Sequence, residues 1–528
     1  MGLYVAPGSS GFAEIVNSDY VDMTGMIALV NQTVETTNKL TCVSRPRRFG
    51  KSYAAKMLCA YYDSSCDSHA LFDDKEIAKT PDYEKHLNQY NVIYLDITGF
   101  ISSAQIEGTS LKEVPNMIVK AVCDELNETY LRISPFNDID EALTASVEAT
   151  GGKRFVFIID EWDAMIREAK NDPEAQKRYF NLLRGLFKNA NLTPKVVAAA
   201  YMTGILPIKK DGSQSAISDF KEYSVLYPGK FAKYTGFVES DVINLCRNND
   251  MSFEEVRAWY DGYDFSGSGA VYNPYSVMRA MEERSCRSYW KETSAAESLK
   301  TYINMDLEGM QEVISRLITG EEIEVDVSDF RNDFETFGSK DDVITLLIHL
   351  GYLTFNNKTH TARIPNEEVR SEFRGILKGK GVNHKWLELI KRSQKLLNDT
   401  LAGNADNVAA AIDEIRKENY APQFYNNEQS LRSIIKFAYI AAYDSYVKIE
   451  ELASGKGLAD IVMLPKRGSE LPALVIELKW NKSAEGAISQ IKDKSYPVIL
   501  KDFGGEILLV GVNYDAKSGK HSCVIEKI

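Results

Sequence analysis

Short apolar runs alternate with longer segments of helical spacing through the first 210 residues of the chain. Four runs are long enough for buried strands: one ends at Val43, and the others lie in "YNVIYLDITGF" (90–100), "KRFVFIIDEWDAMIRE" (153–168) and "PKVVAAAYMTGILPI" (194–208). Between them, segments such as "KSYAAKMLCAYYD" place small and apolar residues at helical spacing. Strands that alternate with helices predict a parallel sheet with helices on both faces.

The pattern changes twice further along the chain. Beyond about residue 235 it is mostly helical, and 341–373 predicts a helix, a hairpin turning at Asn356-Asn357 and a second helix, which is the order of a winged-helix unit. This stretch has few basic residues, which favours a packing module over a DNA-binding one. From 421 a helix, a hairpin, the buried strand "PALVIELKW", a helix and a strand follow. We therefore predict a multidomain α/β protein with four segments: 1–235, 236–340, 341–420 and 421–528.

Composition narrows the class of protein. The net charge of −13 argues against nonspecific coating of nucleic acid, although residues 421–528 are nearly neutral, with 14 Lys plus Arg and 13 Asp plus Glu. The seven cysteines are scattered and form no C-x-x-C pair, which argues against disulfides and a zinc cluster. The chain has no apolar run of membrane-spanning length and no signal-peptide pattern at its start. We expect a cytoplasmic protein with no membrane partner.

The stretch "SRPRRFGKS" (44–52) ends as a phosphate-binding loop does, directly before a predicted helix. The usual G-x-x-x-x-G-K-[ST] pattern would place glycine at position 45, where this chain has Arg45. In such a loop Lys51 reaches the β- and γ-phosphates and the Ser52 hydroxyl ligates Mg²⁺. The alternative is a helix N-terminus that merely has positive charge beside it.

A second motif follows at the end of a predicted buried strand. In "FIIDEWD" the expected roles are Mg²⁺ orientation for Asp160 and activation of the attacking water for Glu161. A strand that simply ends in acidic residues is the alternative, but this order after a phosphate loop indicates nucleotide binding and hydrolysis. Thr203 ends the next strand, where it either senses the γ-phosphate or only terminates the strand.

Three charged residues near the C-terminus form a further candidate site. Asp460 lies on or before one strand, and Glu477 and Lys479 lie two apart on the next, so they face the same side of the sheet. Metal-dependent phosphodiester hydrolysis uses such a set: the carboxylates hold Mg²⁺, and the lysine positions water and offsets charge in the transition state. The alternative is a strand whose Glu and Lys form an ion pair facing solvent.

The motifs "YVDMTGMI", "SRPRRFGKS", "FIIDEWD" and "MTGILPI" together resemble the AAA-ATPase-like family, over about residues 15–235. Its loop typically reads R-P-R-R-F-G-K-S/T, so Arg45 is what the family has there. The resemblance implies ATP and Mg²⁺ as cofactors, and a homo-oligomer in which a neighbouring subunit supplies an arginine. We assign ten residues to the ATP site: Arg45, Arg47, Arg48, Phe49, Gly50, Lys51, Ser52, Tyr53, Asp160 and Thr203.

Residues 421–528 resemble the PD-(D/E)XK nuclease superfamily. "EELASGKGLAD" matches the hairpin that leads to the metal-binding Asp460, and "VIELKW" matches the E-x-K strand. Glu428 matches the acidic residue on the opening helix, and Gln490 and Tyr496 match the helix beside the site. The resemblance implies metal binding by Glu428, Asp460 and Glu477. It also implies a nucleic acid partner, for which we expect DNA.

The function predicted from sequence is ATP-controlled, metal-dependent cleavage of nucleic acid. One rival is a nucleotide-switched scaffold whose nuclease-like domain binds nucleic acid or a partner without cleaving. Another is a metal-independent binding protein in which the phosphate loop is structural.

Overall fold

The computed structural model describes the following residues: 2–132, 135–208, 212–234, 236–264, 269–290, 310–318, 320–328, 330, 339–377, 384–419, 425–454, 457–466, 469–493 and 505–528. They form two compact units, Met1–Tyr289 with Glu324–Glu368, and Trp290–Ile323 with Val369–Ile528. No described helix is both long and apolar enough to cross a membrane. The segment boundaries at 235, 340 and 420 stay predictions.

The first unit is built on a parallel sheet of strand order β2-β3-β4-β1-β5. The predicted parallel sheet is confirmed, and β5 is an addition whose three residues are too few to give a strand signal. The elements are α1 (Ser10–Val16), α2 (Gly25–Asn31), β1 (Leu40–Ser44), α3 (Lys51–Tyr62), α4 (His69–Phe72), α5 (Tyr83–His86), β2 (Asn91–Asp96), α6 (Ile97–Glu107), α7 (Val114–Thr129), α8 (Ile139–Ala149), β3 (Phe155–Asp160), α9 (Ala164–Glu168), α10 (Pro173–Phe187), α11 (Thr193–Val196), β4 (Val197–Gly204) and β5 (Lys221–Tyr223).

Helices cover both faces of this sheet, as strand β3 illustrates. Val156 and Ile158 pack in a cluster with side chains of α1, α2 and α3. Phe157, which points to the opposite face, contacts Phe187 of α10 with ring centroids 5.3 Å apart. Every residue of β3 is buried, which explains why its sequence is an uninterrupted apolar run before Asp160.

The rest of the first unit contains more short strands than its sequence suggested. The small sheet β6-β8-β7 is antiparallel, and a hairpin, β10 with β11, lies between two helices in the predicted order. Its role as a winged helix stays a prediction. The elements are β6 (Phe237–Val238), α12 (Glu239–Asn249), α13 (Phe253–Tyr260), β7 (Tyr263–Asp264), β8 (Ala270–Tyr272), α14 (Pro274–Glu283), β9 (Ile323–Glu324, at the unit boundary), α16 (Lys340–Leu350), β10 (Thr354–Asn356) and β11 (Thr361–Arg363).

The second unit contains a mixed sheet of order β12-β13-β14-β15-β16, in which only β14 and β15 run parallel. Helix α21 packs on this pair through Ile488 and Ile491, which contact the cluster of Val475 and Leu509. The elements are α15 (Met310–Ile318), α17 (Glu367–Leu377, beginning in the first unit), α18 (His384–Leu401), α19 (Ala405–Asn419), α20 (Glu428–Ala438), β12 (Tyr446–Ser454), β13 (Gly457–Pro465), β14 (Ala473–Trp480), α21 (Ala484–Asp493), β15 (Ile507–Asp515) and β16 (Lys520–Lys527).

Two isoleucine substitutions, one at a buried and one at an exposed position, test whether β3 lies in the core of the parallel sheet. Ile158→Ala, at a fully buried site of β3, is expected to lower the free energy of unfolding by ~2–5 kcal/mol, because it leaves a cavity. Ile106→Ala, at a position 86% exposed on α6, is expected to change it by less than about 0.5 kcal/mol. Urea unfolding followed by tryptophan fluorescence measures both. Equal effects would contradict the assignment of β3 to the core.

Candidate functional site

The segment between β1 and α3 has the backbone of an anion-binding loop. Arg48 and Gly50 both have left-handed backbone torsions, with φ of 72° and 74°. Gly50 caps the N-terminus of α3, and its carbonyl accepts the Ala54 N–H at 2.9 Å. The loop thus turns sharply before a twelve-residue helix whose first N–H groups, at the positive end of its dipole, suit an anion.

The two sequence motifs of this unit meet at the start of that helix. The Lys51 ammonium donates to the Pro46 carbonyl at 3.0 Å and lies 3.4 Å from Glu161 Oε1. Ser52 lies close enough to Asp160 to lower the pKa of that carboxyl, and Glu161 N–H donates to Asp160 Oδ1 at 3.1 Å. The loop and the acidic strand end therefore form one group of interacting side chains.

Burial affects the pKa of both carboxylates, Asp160 and Glu161. Burial raises the pKa of Asp160 to about 6, against the opposing effect of the Ser52 hydrogen bond. Burial alone would also raise the pKa of Glu161, but Lys51 and Arg167 outweigh it and hold that pKa below its ordinary value. Glu161 has a left-handed backbone with φ of 53°, uncommon for a residue other than glycine, Asn or Asp.

Three polar side chains lie side by side at the carboxyl ends of neighbouring strands. Asp96 of β2 pairs in register with Asp160 of β3, which pairs with Thr203 of β4. Thr203 is fully buried, and its hydroxyl has no hydrogen-bond partner among the described residues. The row therefore contains two carboxylates and one hydroxyl, and only the hydroxyl of Thr203 has no hydrogen-bond partner among the described residues.

The loop arginines have different surroundings. Arg45 lies in the interior, fully buried, and donates to the carbonyls of Ser44 at 2.8 Å and Tyr223 at 2.9 Å. Burial lowers its pKa to about 10. The Arg48 guanidinium carbon lies 3.8 Å from the centroid of the Tyr275 ring. Arg45 thus holds β5 to the loop, and Arg48 holds the loop to α14.

A cavity of about 620 Å³ opens above the loop. Its lining includes charged and polar residues, among them Arg47, Arg48, Lys51, Ser52, Asp96, Thr98, Asp160, Glu161 and Arg167. It also includes apolar and aromatic residues, among them Phe12, Ile15, Val21, Met23, Met26, Tyr53, Phe237, Tyr275 and Met278. Phe49 and Gly50 line it too, Phe49 being buried against Tyr263 and Tyr53 being 59% exposed. A lining that combines charged groups with apolar and aromatic side chains suits a ligand that has an anionic and an aromatic part.

The second unit brings its own carboxylates together on adjacent strands. Asp460 of β13 accepts the Leu478 N–H through Oδ2 at 2.8 Å, which places it beside Glu477 of β14. The Lys479 ammonium lies 3.1 Å from Glu477 Oε1, and Gln490 of α21 donates to the same oxygen. Exposure is 7% for Asp460 and 2% for Glu477, so neither is a solvent-facing strand residue.

A second cation accompanies this group. Arg432 of α20 forms an ion pair with Asp460 Oδ1. Glu428 lies one helical turn before Arg432, at the start of the same helix. In the part of the chain that the structure describes, no three His, Cys, Asp or Glu side chains are grouped as a metal site, so Glu428, Asp460 and Glu477 do not form a ready cluster. Tyr496 lies outside the described residues.

Family models match both regions. The model described as "Predicted AAA-ATPase" matches residues 7–213, and the model "PD-(D/E)XK nuclease superfamily" matches residues 426–523. The first match includes the phosphate loop, Asp160, Glu161 and Thr203, and the second includes Glu428, Asp460, Glu477 and Lys479. The chain joins an AAA-ATPase-like domain to a PD-(D/E)XK nuclease superfamily domain. The two resemblances drawn from sequence motifs are thereby confirmed.

The two-domain chain is similar from end to end to one curated relative. An uncharacterized protein in the vnfD 5′ region of Azotobacter chroococcum mcd 1 is 24% identical over 536 residues, covering 97% of this chain and 96% of the relative. Among solved structures, the Aeropyrum pernix ORC2 protein aligns with a TM-score of 0.31 and 12% identity, covering 69% of this chain and 97% of that chain. The Aeropyrum pernix ORC1 protein in complex with DNA aligns with a TM-score of 0.26 and 11% identity, covering 68% and 93%.

Several residues of the two domains were missed by motif reasoning. Asp96 in "YLDIT" ends an apolar strand as Asp160 does, so the same signal was present. Arg167 and Arg432 reach the carboxylates of Glu161 and Asp460. Nothing in their local sequence marks those contacts, because each depends on how a helix packs against a strand.

Proposed function

We propose that the AAA-ATPase-like domain binds and hydrolyses ATP at the cavity above the phosphate loop. The observation that carries this is the meeting of Lys51 and Ser52 with Asp160 and Glu161 on the cavity wall. A basic surface turn would have no reason to bury two carboxylates against its lysine and serine, since burying charge is costly without a partner.

The residues present fit Mg²⁺ and a triphosphate. The carboxylate of Asp160 and the hydroxyl of Ser52 lie close together, and both supply oxygen ligands of the kind that Mg²⁺ prefers. Arg47 and Lys51, with the N–H groups at the start of α3, supply positive charge for the phosphates. Thr203 lies next to Asp160 in register but is fully buried, so its role as a sensor of the γ-phosphate stays a prediction. Bound Mg²⁺ would neutralise charge that develops on the phosphates.

Glu161 is the residue that activates water in this proposal. Its carboxylate lies on the cavity wall beside the loop, where an attacking water molecule would approach the γ-phosphate. Asp160, the last residue of β3, directly precedes Glu161 and would hold the metal. Lys51 contacts Glu161, so a Lys51 that binds the phosphates would free one side of that carboxylate.

We propose metal-dependent cleavage of nucleic acid for the C-terminal domain. Asp460 and Glu477 are two buried carboxylates on adjacent strands, which fits Mg²⁺ held by one or two carboxylates. Lys479 and Gln490 contact Glu477, so both are available to position water or a scissile phosphate. Bound metal would polarise that phosphate. ATP binding or hydrolysis then gates or powers access of nucleic acid to this domain.

The scaffold alternative has one observation in its favour. Arg432 and Lys479 already neutralise Asp460 and Glu477, as in a domain that has kept the fold but binds without cleaving. Four further parts of the proposal are predictions. The partner is nucleic acid, the protein forms a homo-oligomer, it is located in the cytoplasm, and residues 341–373 act as a winged helix.

Lys51→Ala tests the nucleotide site. We expect affinity for a fluorescent ATP analogue to fall about 10- to 100-fold, because a charge-assisted hydrogen bond contributes ~1.5–3 kcal/mol. Lys153→Ala, at an exposed lysine of the same domain, is the matched control and should bind as wild type does. Glu161→Gln should keep its affinity and lose hydrolysis by about 100-fold or more. Equal binding by Lys51→Ala and wild type would exclude this site.

Glu477→Ala tests the nuclease. With Mg²⁺ or Mn²⁺ we expect wild type to cleave linear or circular DNA, or RNA, and Glu477→Ala and Lys479→Ala to fall to background. Glu485→Ala removes an exposed glutamate on α21 and should cleave as wild type does. If wild type cleaves no substrate while hydrolysing ATP, the scaffold alternative replaces the nuclease.

Arg432→Gln tests whether the metal must displace an arginine. Without the ion pair, a metal at Asp460 no longer competes with an arginine, so we expect Mn²⁺ affinity to rise about five- to tenfold, or ~1–1.4 kcal/mol. Lys517→Gln, at an exposed turn of the same unit, is the control. Calorimetric titration without nucleic acid measures both. Unchanged or weaker Mn²⁺ binding by Arg432→Gln would contradict the competition.

A further inference from the structure

Arg167 bridges two carboxylates in the wall of the ATP cavity. Its Nε donates to Asp163 Oδ2 at 3.1 Å, and another nitrogen of the same guanidinium pairs with Glu161 Oε2. The side chain is 12% exposed and belongs to the five-residue helix α9 that follows the acidic strand end. The arginine therefore connects Glu161 to a residue outside the cavity wall.

Asp163 fixes the far end of this connection. It is fully buried, and its Oδ2 also accepts the backbone N–H groups of Ile205 at 3.2 Å and Leu206 at 2.9 Å. These two residues directly follow β4. A Cβ on the preceding Gly204 would lie 2.6 Å from an oxygen of Asp163, so glycine is needed for the close approach. Arg167 is thus anchored to the ends of both β3 and β4.

Glu161 has two cationic partners, and ATP would remove one of them. Lys51 lies 3.4 Å from one carboxylate oxygen, and Arg167 contacts the other. A phosphate-loop lysine moves to the β- and γ-phosphates when nucleotide binds. Arg167 is then the cation that remains on Glu161 from this pair.

We propose that Arg167 is a positioning residue that holds the Glu161 carboxylate in its catalytic orientation once ATP has drawn Lys51 away. The proposal rests on the proposed ATPase function. Arg167 does this through a planar fork that contacts both carboxylates at once, and a lysine with a single ammonium matches that geometry poorly. It acts on hydrolysis through Glu161, and not by binding phosphate itself.

The test separates turnover from nucleotide affinity. In Arg167→Gln and Arg167→Lys we expect kcat for ATP to fall about 10- to 100-fold, as displacement of a catalytic group by about 1 Å does, while Kd for ATP changes by less than about threefold. Arg178→Ala is the matched control, because Arg178 forms ion pairs on an exposed part of the same domain and should leave both constants unchanged.

A double variant that combines Arg167→Gln with Glu161→Gln tests whether Arg167 acts through Glu161. In Glu161→Gln, Arg167→Gln should cause no further loss of the single-turnover rate, since residues that act as a unit are not additive. Thermal unfolding identifies any variant that fails to fold. Arg167→Gln keeps a donor toward the buried Asp163 and is expected to fold; should it fail to fold, Arg167→Lys carries the test.

Three outcomes would overturn the inference. Wild-type kcat in Arg167→Gln would show that Glu161 needs no such partner. A tenfold or greater loss of ATP affinity with kcat retained would make Arg167 a direct phosphate ligand. Wild type without any ATP turnover would overturn the proposed function and this inference with it, whereas the first two outcomes leave the ATPase proposal intact.

Discussion

Two carboxylates end the apolar strand β3 in the interior of a five-stranded sheet, and much around them follows from the cost of burying their charge. Asp160 meets the Ser52 hydroxyl, and Glu161 is held between Lys51 and Arg167. An uncompensated buried charge would be expensive, so the loop, the strand end and α9 must come together in one arrangement. The same arrangement leaves oxygen ligands and a lysine on the wall of a cavity.

In the nuclease superfamily domain, buried carboxylates are likewise paired with cations. Each of the two buried acids has a cation beside it, Arg432 for Asp460 and Lys479 for Glu477. These pairs balance the charge of the two buried carboxylates. In the proposed nuclease function, a divalent cation would have to compete with both side chains.

The parts predicted from sequence are those with strong local signals. Strands β1 to β4 are long apolar runs, and the phosphate loop is a contiguous motif, so fold class and both family resemblances could be reached. Strands β5 to β9 have two or three residues each, too few for an alternating pattern. The sequence of the loop likewise does not say that Arg45 points inward, because its acceptor on Tyr223 lies 178 residues away. The partners of Arg167 and Arg432 likewise cannot be predicted from the sequence, because these contacts depend on how helices pack against strands.

A crystal structure with a non-hydrolysable ATP analogue and Mg²⁺ would show whether the Lys51 ammonium binds the nucleotide. We predict that Lys51 leaves Glu161, which lies 3.4 Å away in the present structure, and contacts the terminal phosphates. Ser52 and Asp160 would then lie at the metal, with the Arg167–Glu161 pair intact. A nucleotide bound elsewhere, or Lys51 still paired with Glu161 beside a bound nucleotide, would contradict it.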